Sequence, residues 1–262
     1  MQKRVIVIIG LVLCMSVLTF LSGCCINVAD MFKAKSKRTE HKSVPIADIT
    51  ELRVEGEVGS ITITGADVTD CSITAEITVK ARTKEKARQL AEQVEIETDR
   101  SDGKLNVKAT KPAALKSHSL VVDFRITAPR PLNLDCTTHV GGISISDIEG
   151  QIEASADVGS IVCSRVLTDL KLEVNVGSVK VGYAETAPAA CNADIVTNVG
   201  SIEFAGPPHL SVQLDARTNV GSIKTSKPIT VVGKVGKSLS GTIGSGEGRV
   251  HLKTNVGSIE IK

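Results

Sequence analysis

Aromatic side chains are almost missing from this 262-residue chain, which has no Trp, a single Tyr (Tyr183) and four Phe, one of them, Phe20, inside an apolar N-terminal run. Sugar-binding grooves and single-strand nucleic-acid platforms rest on exposed rings, so both lose their usual means of recognition. An excess of one charge is lacking too. The 31 Lys and Arg stand against 29 Asp and Glu, a net charge of +2, and no long-range field directs the chain to nucleic acid. His41, His118, His139, His209 and His251 are scattered without ligand spacing, which leaves a zinc site without support. Gly233-Lys234-Val235-Gly236-Lys237-Ser238 ends like a phosphate loop, but the position of that motif's first Gly is Val231, and no helical pattern follows. The expectation is a non-enzymatic protein with no metal, no cofactor, no nucleic-acid partner and no evident small-molecule substrate.

What is there begins with an export signal. Basic Lys3 and Arg4, an apolar run from Val5 to Phe20 and then small residues make the three parts of a secretion signal. Leu21-Ser22-Gly23-Cys24 resembles the lipobox of bacterial lipoproteins. The resemblance implies that residues 1–23 are a signal peptide, that Leu21, Ser22 and Gly23 are the peptidase recognition residues, and that Cys24 becomes an acylated N-terminus. Two or more acyl chains hold a protein at a bilayer where one does not. The alternative is an uncleaved span, since no charge falls between Val5 and Ala29. Position 25 is Cys25 rather than an Asp retention signal. The expected location is therefore a membrane-anchored lipoprotein, on the outer membrane facing the periplasm in a two-membrane cell and on the cell surface otherwise. Residues 24–45 carry Lys33, Lys35, Lys37, Arg38, His41 and Lys42 and read as a solvated tether, with a bilayer of anionic headgroups as the other use of such a cluster.

The informative feature is an internal repeat. A Val-Gly-Ser-Ile-like tetrapeptide starts at Val58, Val140, Val158, Val176, Val199, Val220 and Val256, and the C-terminal copies follow at steps of 18, 18, 23, 21 and 36. Ile243-Gly244-Ser245 is a candidate degenerate copy within the longest step. Positions two, four and six before the Val are apolar or small, as in Val174, Leu172 and Leu170, the period of a strand. Apolar positions resume three and five residues after it, as in Val179 and Val181. That odd step predicts a bend at each glycine, Gly59, Gly141, Gly159, Gly177, Gly200, Gly221 and Gly257, joining two short strands. One copy cannot bury its stripe alone, so stacked copies of a β-solenoid are expected over residues 131–262. An antiparallel β-sandwich, with each Gly-Ser turning a hairpin, is the alternative. Asn175, Asn198, Asn219 and Asn255 precede the Val and would form an amide ladder, while Lys180, Glu203 and Lys224 would alternate in sign on successive units.

Residues 46–130 differ. Ile73 to Ala81 alternates as a strand, Thr83 to Gln93 carries Ala87, Leu90, Ala91 and Val94 on one helical face, and Asp102-Gly103 sits between two alternating runs as a hairpin turn. Leu120 to Ile126 is another strand. The helix is expected to cover the sheet or one end of the stack, where a bare strand edge would invite pairing.

The recurring Asn-Val-Gly-Ser-Ile, the closing Gly241-Thr242-Ile243-Gly244-Ser245-Gly246-Glu247-Gly248 with Thr254-Asn255-Val256-Gly257-Ser258-Ile259, and the strand-helix-strand insert resemble the bacterial putative-adhesin domain of unknown function, over about Ile46 to Lys262. The resemblance implies a β-helical envelope protein without known catalysis.

One enzymatic pattern remains to be weighed. Five residues before each motif Val stand Asp135, Glu153, Lys171, Asp194, Asp215 and His251. Carboxylates on adjacent units would lie about 4.8 Å apart, near the separation used by retaining glycosidases. A solvated charged face explains the same column. Cys136 and Cys163 fall on inward columns as small apolar residues, and pairing among Cys25, Cys71, Cys136, Cys163 and Cys191 is open, because five thiols leave one over. The leading function is a membrane-held envelope lipoprotein presenting a β face for adhesion or protein binding. The alternatives are a self-assembling structural element, suggested by the uncapped end at Ile261-Lys262, and an accessory of an envelope-stress signalling system.

Overall fold

The computed structural model describes residues 34–115, 119–231 and 236–262. Its elements in chain order are β1 (Ala34–Pro45), β2 (Glu51–Val58), β3 (Ile61–Ala66), β4 (Asp70–Ala81), α1 (Lys84–Glu92), β5 (Glu95–Ser101), β6 (Lys104–Thr110) and β7 (Ser119–Pro129). Then follow β8 (Asn133–Val140), β9 (Ile143–Ser146), β10 (Ile152–Val158), β11 (Ile161–Val166), β12 (Leu170–Val176), β13 (Val179–Tyr183), β14 (Asn192–Val199) and β15 (Ile202–Ala205). The chain closes with β16 (Val212–Val220), β17 (Ile223–Thr225), β18 (Thr230–Val231), β19 (Ser238–Ile243), β20 (Gly248–Val256) and β21 (Ile259–Ile261).

These strands build two large mixed sheets. One has ten strands in the order β1-β4-β7-β3-β9-β11-β13-β15-β21-β17, the other eleven in the order β18-β19-β16-β20-β14-β12-β10-β8-β2-β6-β5. Each repeat gives its strand before the Gly-Ser to the eleven-stranded sheet and its strand after it to the ten-stranded one. Neighbouring repeats pair in parallel and in register, with Ile152 beside Leu134 and Leu170, and Ile161 beside Ile143 and Val179. The glycines therefore turn corners between sheets and do not turn hairpins, unlike the sandwich alternative. The inward columns at two, four and six before the Val are buried, and one apolar core runs through the first copy, β2 and β3, into the later ones.

Spatial order departs from chain order at the C-terminus. β20 lies between β14 and β16, and β21 between β15 and β17, so the last repeat in sequence is an interior repeat in space. The expected open end at Ile261-Lys262 is not an end. Residues after β17 instead form β18 and β19, which pair antiparallel beside β16. Ile243-Gly244-Ser245 belongs to this excursion: Gly244 has φ +61, against +137 to +155 at the corner glycines, and it forms no corner. The sign alternation fails for the same reason, since Glu260 interposes between Glu203 and Lys224. Lys262 sets its amine 2.8 Å from Glu203 and 3.5 Å from Glu260 and neutralises the like charges.

The tether reading also needs correction. From Ala34 to Pro45 the chain is an edge strand, paired antiparallel with β4 in an unbroken register from Ala34↔Ala81 to Pro45↔Asp70. Its alternate residues are half-buried, and Arg38 and Lys42 donate to the carbonyls of Val94 and Ile96. Long cationic stems do the covering that apolar residues do elsewhere, and charge on an edge strand blunts unwanted pairing. Composition alone reads such a strand as a linker.

Helix α1 forms as its pattern predicts. Thr83 is the N-cap, its hydroxyl accepting from the Lys86 amide at 3.1 Å, and Ala87, Leu90 and Ala91 are buried against β1 and β4. Burying Leu90 alone contributes on the order of 2 kcal/mol. Asp102 (φ +52) and Gly103 (φ +73) make the two-residue turn between β5 and β6, the left-handed pair that such hairpins require.

Candidate functional site

The corners are the most regular surface of the molecule. Each corner glycine takes a φ between +137 and +155, a region that side chains exclude. A Cβ on Gly159 would stand 1.7 Å from the carbonyl oxygen of Gly141, and one on Gly177 1.7 Å from that of Gly159. Stacked backbones approach this closely only because no Cβ intervenes, and Gly141, Gly159 and Gly177 each donate an amide to the Val carbonyl of the next repeat at 2.8–2.9 Å. Gly59, Gly141, Gly159, Gly177, Gly200, Gly221 and Gly257 stand at these corners.

Beneath the corner lies a buried column. Thr197, Thr254 and Thr218 donate their hydroxyls to the carbonyls of Gly177, Gly200 and Gly257 at 3.1, 2.9 and 2.9 Å. Thr138 occupies the same position, 1% exposed, and its hydroxyl has no partner.

Above it the side chains face solvent. Asn198 donates to Asn175 at 2.7 Å, Asn255 to Asn198 at 2.8 Å and Asn219 to Asn255 at 3.1 Å, so the amide ladder exists with its last two members in spatial order. The motif valines stand beside it. Val58, Val140, Val158, Val176, Val199, Val256 and Val220 are 39–59% exposed, on seven successive strands. At about 4.8 Å per strand they form a ridge roughly 29 Å long. Sequence reasoning missed this ridge because period-two alternation carries the buried face through to the Val. The last inward residue before the bend is instead two positions earlier, and Asn-Val-Gly-Ser wraps the outside of the corner. The signal available was uniformity: the inward columns vary among Leu, Ile, Val, Ala, Cys and Thr, whereas this position is Val in every copy.

The outward charged column is ion-paired, partly within itself and partly with arginines beside it, Arg53 lying 3.5 Å from Asp135. Lys171 meets Glu153 at 2.6 Å, His251 meets Asp194 at 2.7 Å and Arg217 meets Asp215 at 2.8 Å. Asp194 and Asp215 are not neighbours, because His251 stands between them. Asp135 and Glu153 are adjacent, and partial burial raises the Asp135 pKa against the opposing pull of Arg53. The shallow trough above this column, about 690 Å³, is lined by Asp135, Glu153, Lys171, Asp194 and His251 among others. Among the described residues no group of three or more His, Cys, Asp or Glu side chains is placed to hold a metal.

Cys71, Cys136, Cys163 and Cys191 are free and buried. Burial pushes the thiols of Cys71 and Cys191 up to about 11 and that of Cys163 up to about 12, and raises Cys136 as well, so none offers a reactive thiolate. The Tyr183 hydroxyl donates to the Thr168 carbonyl at 2.9 Å and its ring meets Phe204 edge-on, a packing role. Leu21, Ser22, Gly23, Cys24 and Cys25 lie outside the described residues, and among those described no helix is long and apolar enough to cross a membrane.

This combination of stacked Gly-Ser corners with a strand-helix-strand insert is matched over residues 36–262 by the family described as Toastrack DUF4097. The chain belongs to that family. No curated protein matches it. Among solved structures, a "putative cell adhesion protein" from Clostridium sporogenes is 15% identical, covers 87% of this chain and 99% of its own, and aligns with a TM-score of 0.55. A "putative adhesin" from Bacteroides fragilis is 13% identical over 87% of this Toastrack chain and 98% of its own, at a TM-score of 0.32. At that identity the first likeness shows a shared fold, and the second is too distant in shape to add to it.

Proposed function

We propose that this Toastrack protein is an exported lipoprotein, held at a membrane by acyl chains on Cys24, whose two sheets are the faces of a short β-solenoid used for adhesion or protein binding. The observation that carries the reading is the exposed valine ridge. Single exposed apolar residues need no explanation, but a contiguous apolar patch marks an interaction surface. The glycine corners hold this one on a rigid, regularly spaced frame. Catalysis is disfavoured by the ion pairing of the column: Asp194 and Asp215 lack the adjacency that a carboxylate pair requires, and in the one adjacent pair Asp135 faces Arg53 at 3.5 Å and Glu153 is held by Lys171 at 2.6 Å, so neither carboxylate is free to act on a substrate. The Clostridium sporogenes structure is called a "putative cell adhesion protein", a description in line with a binding role. The test is the intact mass of membrane-extracted protein beside a Cys24→Ala variant, with and without globomycin. A mature chain starting at an acylated Cys24 supports the anchor. A chain retaining residues 1–23 with a bare Cys24 makes the anchor a helix and rejects the lipoprotein reading.

A further inference from the structure

Four of the seven corners are identical. Asn175-Val176-Gly177-Ser178, Asn198-Val199-Gly200-Ser201, Asn255-Val256-Gly257-Ser258 and Asn219-Val220-Gly221-Ser222 stack in that spatial order with no charged side chain among them. The three remaining corners are less uniform, with Glu57 beside Val58 and a His139–Asp157 pair at 2.8 Å between Val140 and Val158. Beyond Val58 the strands β7 and β4 also run past the corner, because Phe124 is the residue beside Ile61 and Ser119 to Asp123 precede it. Among the described residues the uncharged part of the ridge is thus its C-terminal block of four, bordered at the Val220 end by Lys237, whose carbonyl accepts from the Thr218 amide at 2.8 Å.

We infer that this block is a self-association surface, on which a second copy of the chain docks antiparallel about a two-fold axis between Val199 and Val256. The inference deepens the binding role proposed above by naming the partner. Three observations choose a second copy. A row of identical knobs at a strand pitch of about 4.8 Å is matched by another row of the same pitch lying alongside it. A uniform row is unchanged when reversed, which an isologous contact requires. The block is also neutral, so reversal brings no like charges together. Size sets the strength. The four valines leave about two whole valine side chains' worth of surface in water, and even with the flanking Asn and Ser the contact falls below the ~1,200 Å² of stable complexes. Association is therefore weak in dilute solution and becomes effective where tethering to one membrane raises the local concentration.

The test uses the full chain in liposomes, in a Cys25→Ser background, with a short bismaleimide that reacts at Ser201→Cys beside the axis or at Val162→Cys on a different exposed face (Val162 is 37% exposed). The four native thiols among the described residues are buried and stay silent. The expected result is rapid dimer formation at Ser201→Cys, little at Val162→Cys, and a loss of about ten-fold or more when Val199→Asp and Val256→Asp place carboxylates in the contact. Both valines are exposed, so the Asp variant should fold, and thermal unfolding checks that. Equal crosslinking at the two positions, or its survival in the Asp variant, overturns the inference. Flotation of the liposomes reads the anchor separately. If the chain does not float, the anchoring reading fails and sedimentation velocity decides self-association, a monomer at the highest soluble concentration overturning it.

Discussion

A corner glycine and its neighbours show how little latitude single residues have here. Gly159→Ala would force an alanine to φ +155 and drive its Cβ to within 1.7 Å of the Gly141 carbonyl oxygen. Two adjacent repeats would have to part, at a cost of about 3 kcal/mol or more, and urea unfolding should show it, whereas Ser160→Ala removes only an exposed hydroxyl that accepts from the Ser178 amide at 3.2 Å and should cost about 1 kcal/mol or less. The threonines beneath the corners give a finer test. Thr254→Val removes a hydroxyl bonded to the Gly200 carbonyl at 2.9 Å and should destabilise by about 1 kcal/mol. Thr138→Val removes one with no partner and should be neutral or stabilising, since burying an unpaired hydroxyl is itself unfavourable. Equal losses in the two variants would mean that the Thr138 hydroxyl is satisfied in solution.

Elements at the N-terminal end obey two different kinds of signal. Helix α1 and the β5-β6 hairpin form where capping, apolar period and the Asp102-Gly103 turn place them, because these are local rules that short windows of sequence contain. Strand β1 is the opposite case. Its Lys35, Lys37, Arg38 and Lys42 have the composition of a linker, and only its position on the sheet edge, with Arg38 and Lys42 reaching the carbonyls beside α1, makes it a strand. Limited trypsin digestion distinguishes the two. A tether is cut at Lys37, Arg38 and Lys42 within the first minutes, whereas β1 should protect these bonds until the domain unfolds. Early cleavage there would restore the tether.

On the scale of the whole molecule, the insertion of β20 and β21 between repeats already formed by earlier sequence ties the C-terminus inside both sheets, with a strand on each side of it. A chain ending at Glu247 would lose an interior layer and leave β16 and β17 without their parallel neighbours. The expected outcome is loss of cooperative thermal unfolding, where removal of a terminal repeat would only lower the midpoint. The same insertion sets a pH dependence. Lys262 and Lys180 hold the Glu203 carboxyl below the usual range, so its contribution to stability is complete above the unfolded value of about 4.3 and is lost as pH falls through the lower folded value. Acidification should therefore destabilise the wild type more than Glu203→Gln, as read from urea midpoints at neutral and strongly acidic pH.

The sequence by itself determined the repeat, the inward columns, the corner glycines, the amide ladder and the N-terminal helix, because each follows from a local period or from a backbone angle that glycine alone accepts. Tertiary structure decided the order of the repeats, the role of β1 and the exposure of the valines. Repeats with interchangeable apolar columns, such as Val250, Leu252 and Thr254 against Leu214, Ala216 and Thr218, can stack in either order without penalty to the local pattern, so spatial sequence is fixed only by which edges the excursion through β18 and β19 closes. Whether a valine at a bend points inward or outward is likewise a property of the corner geometry, and it is this outward turn that gives the molecule its apolar ridge.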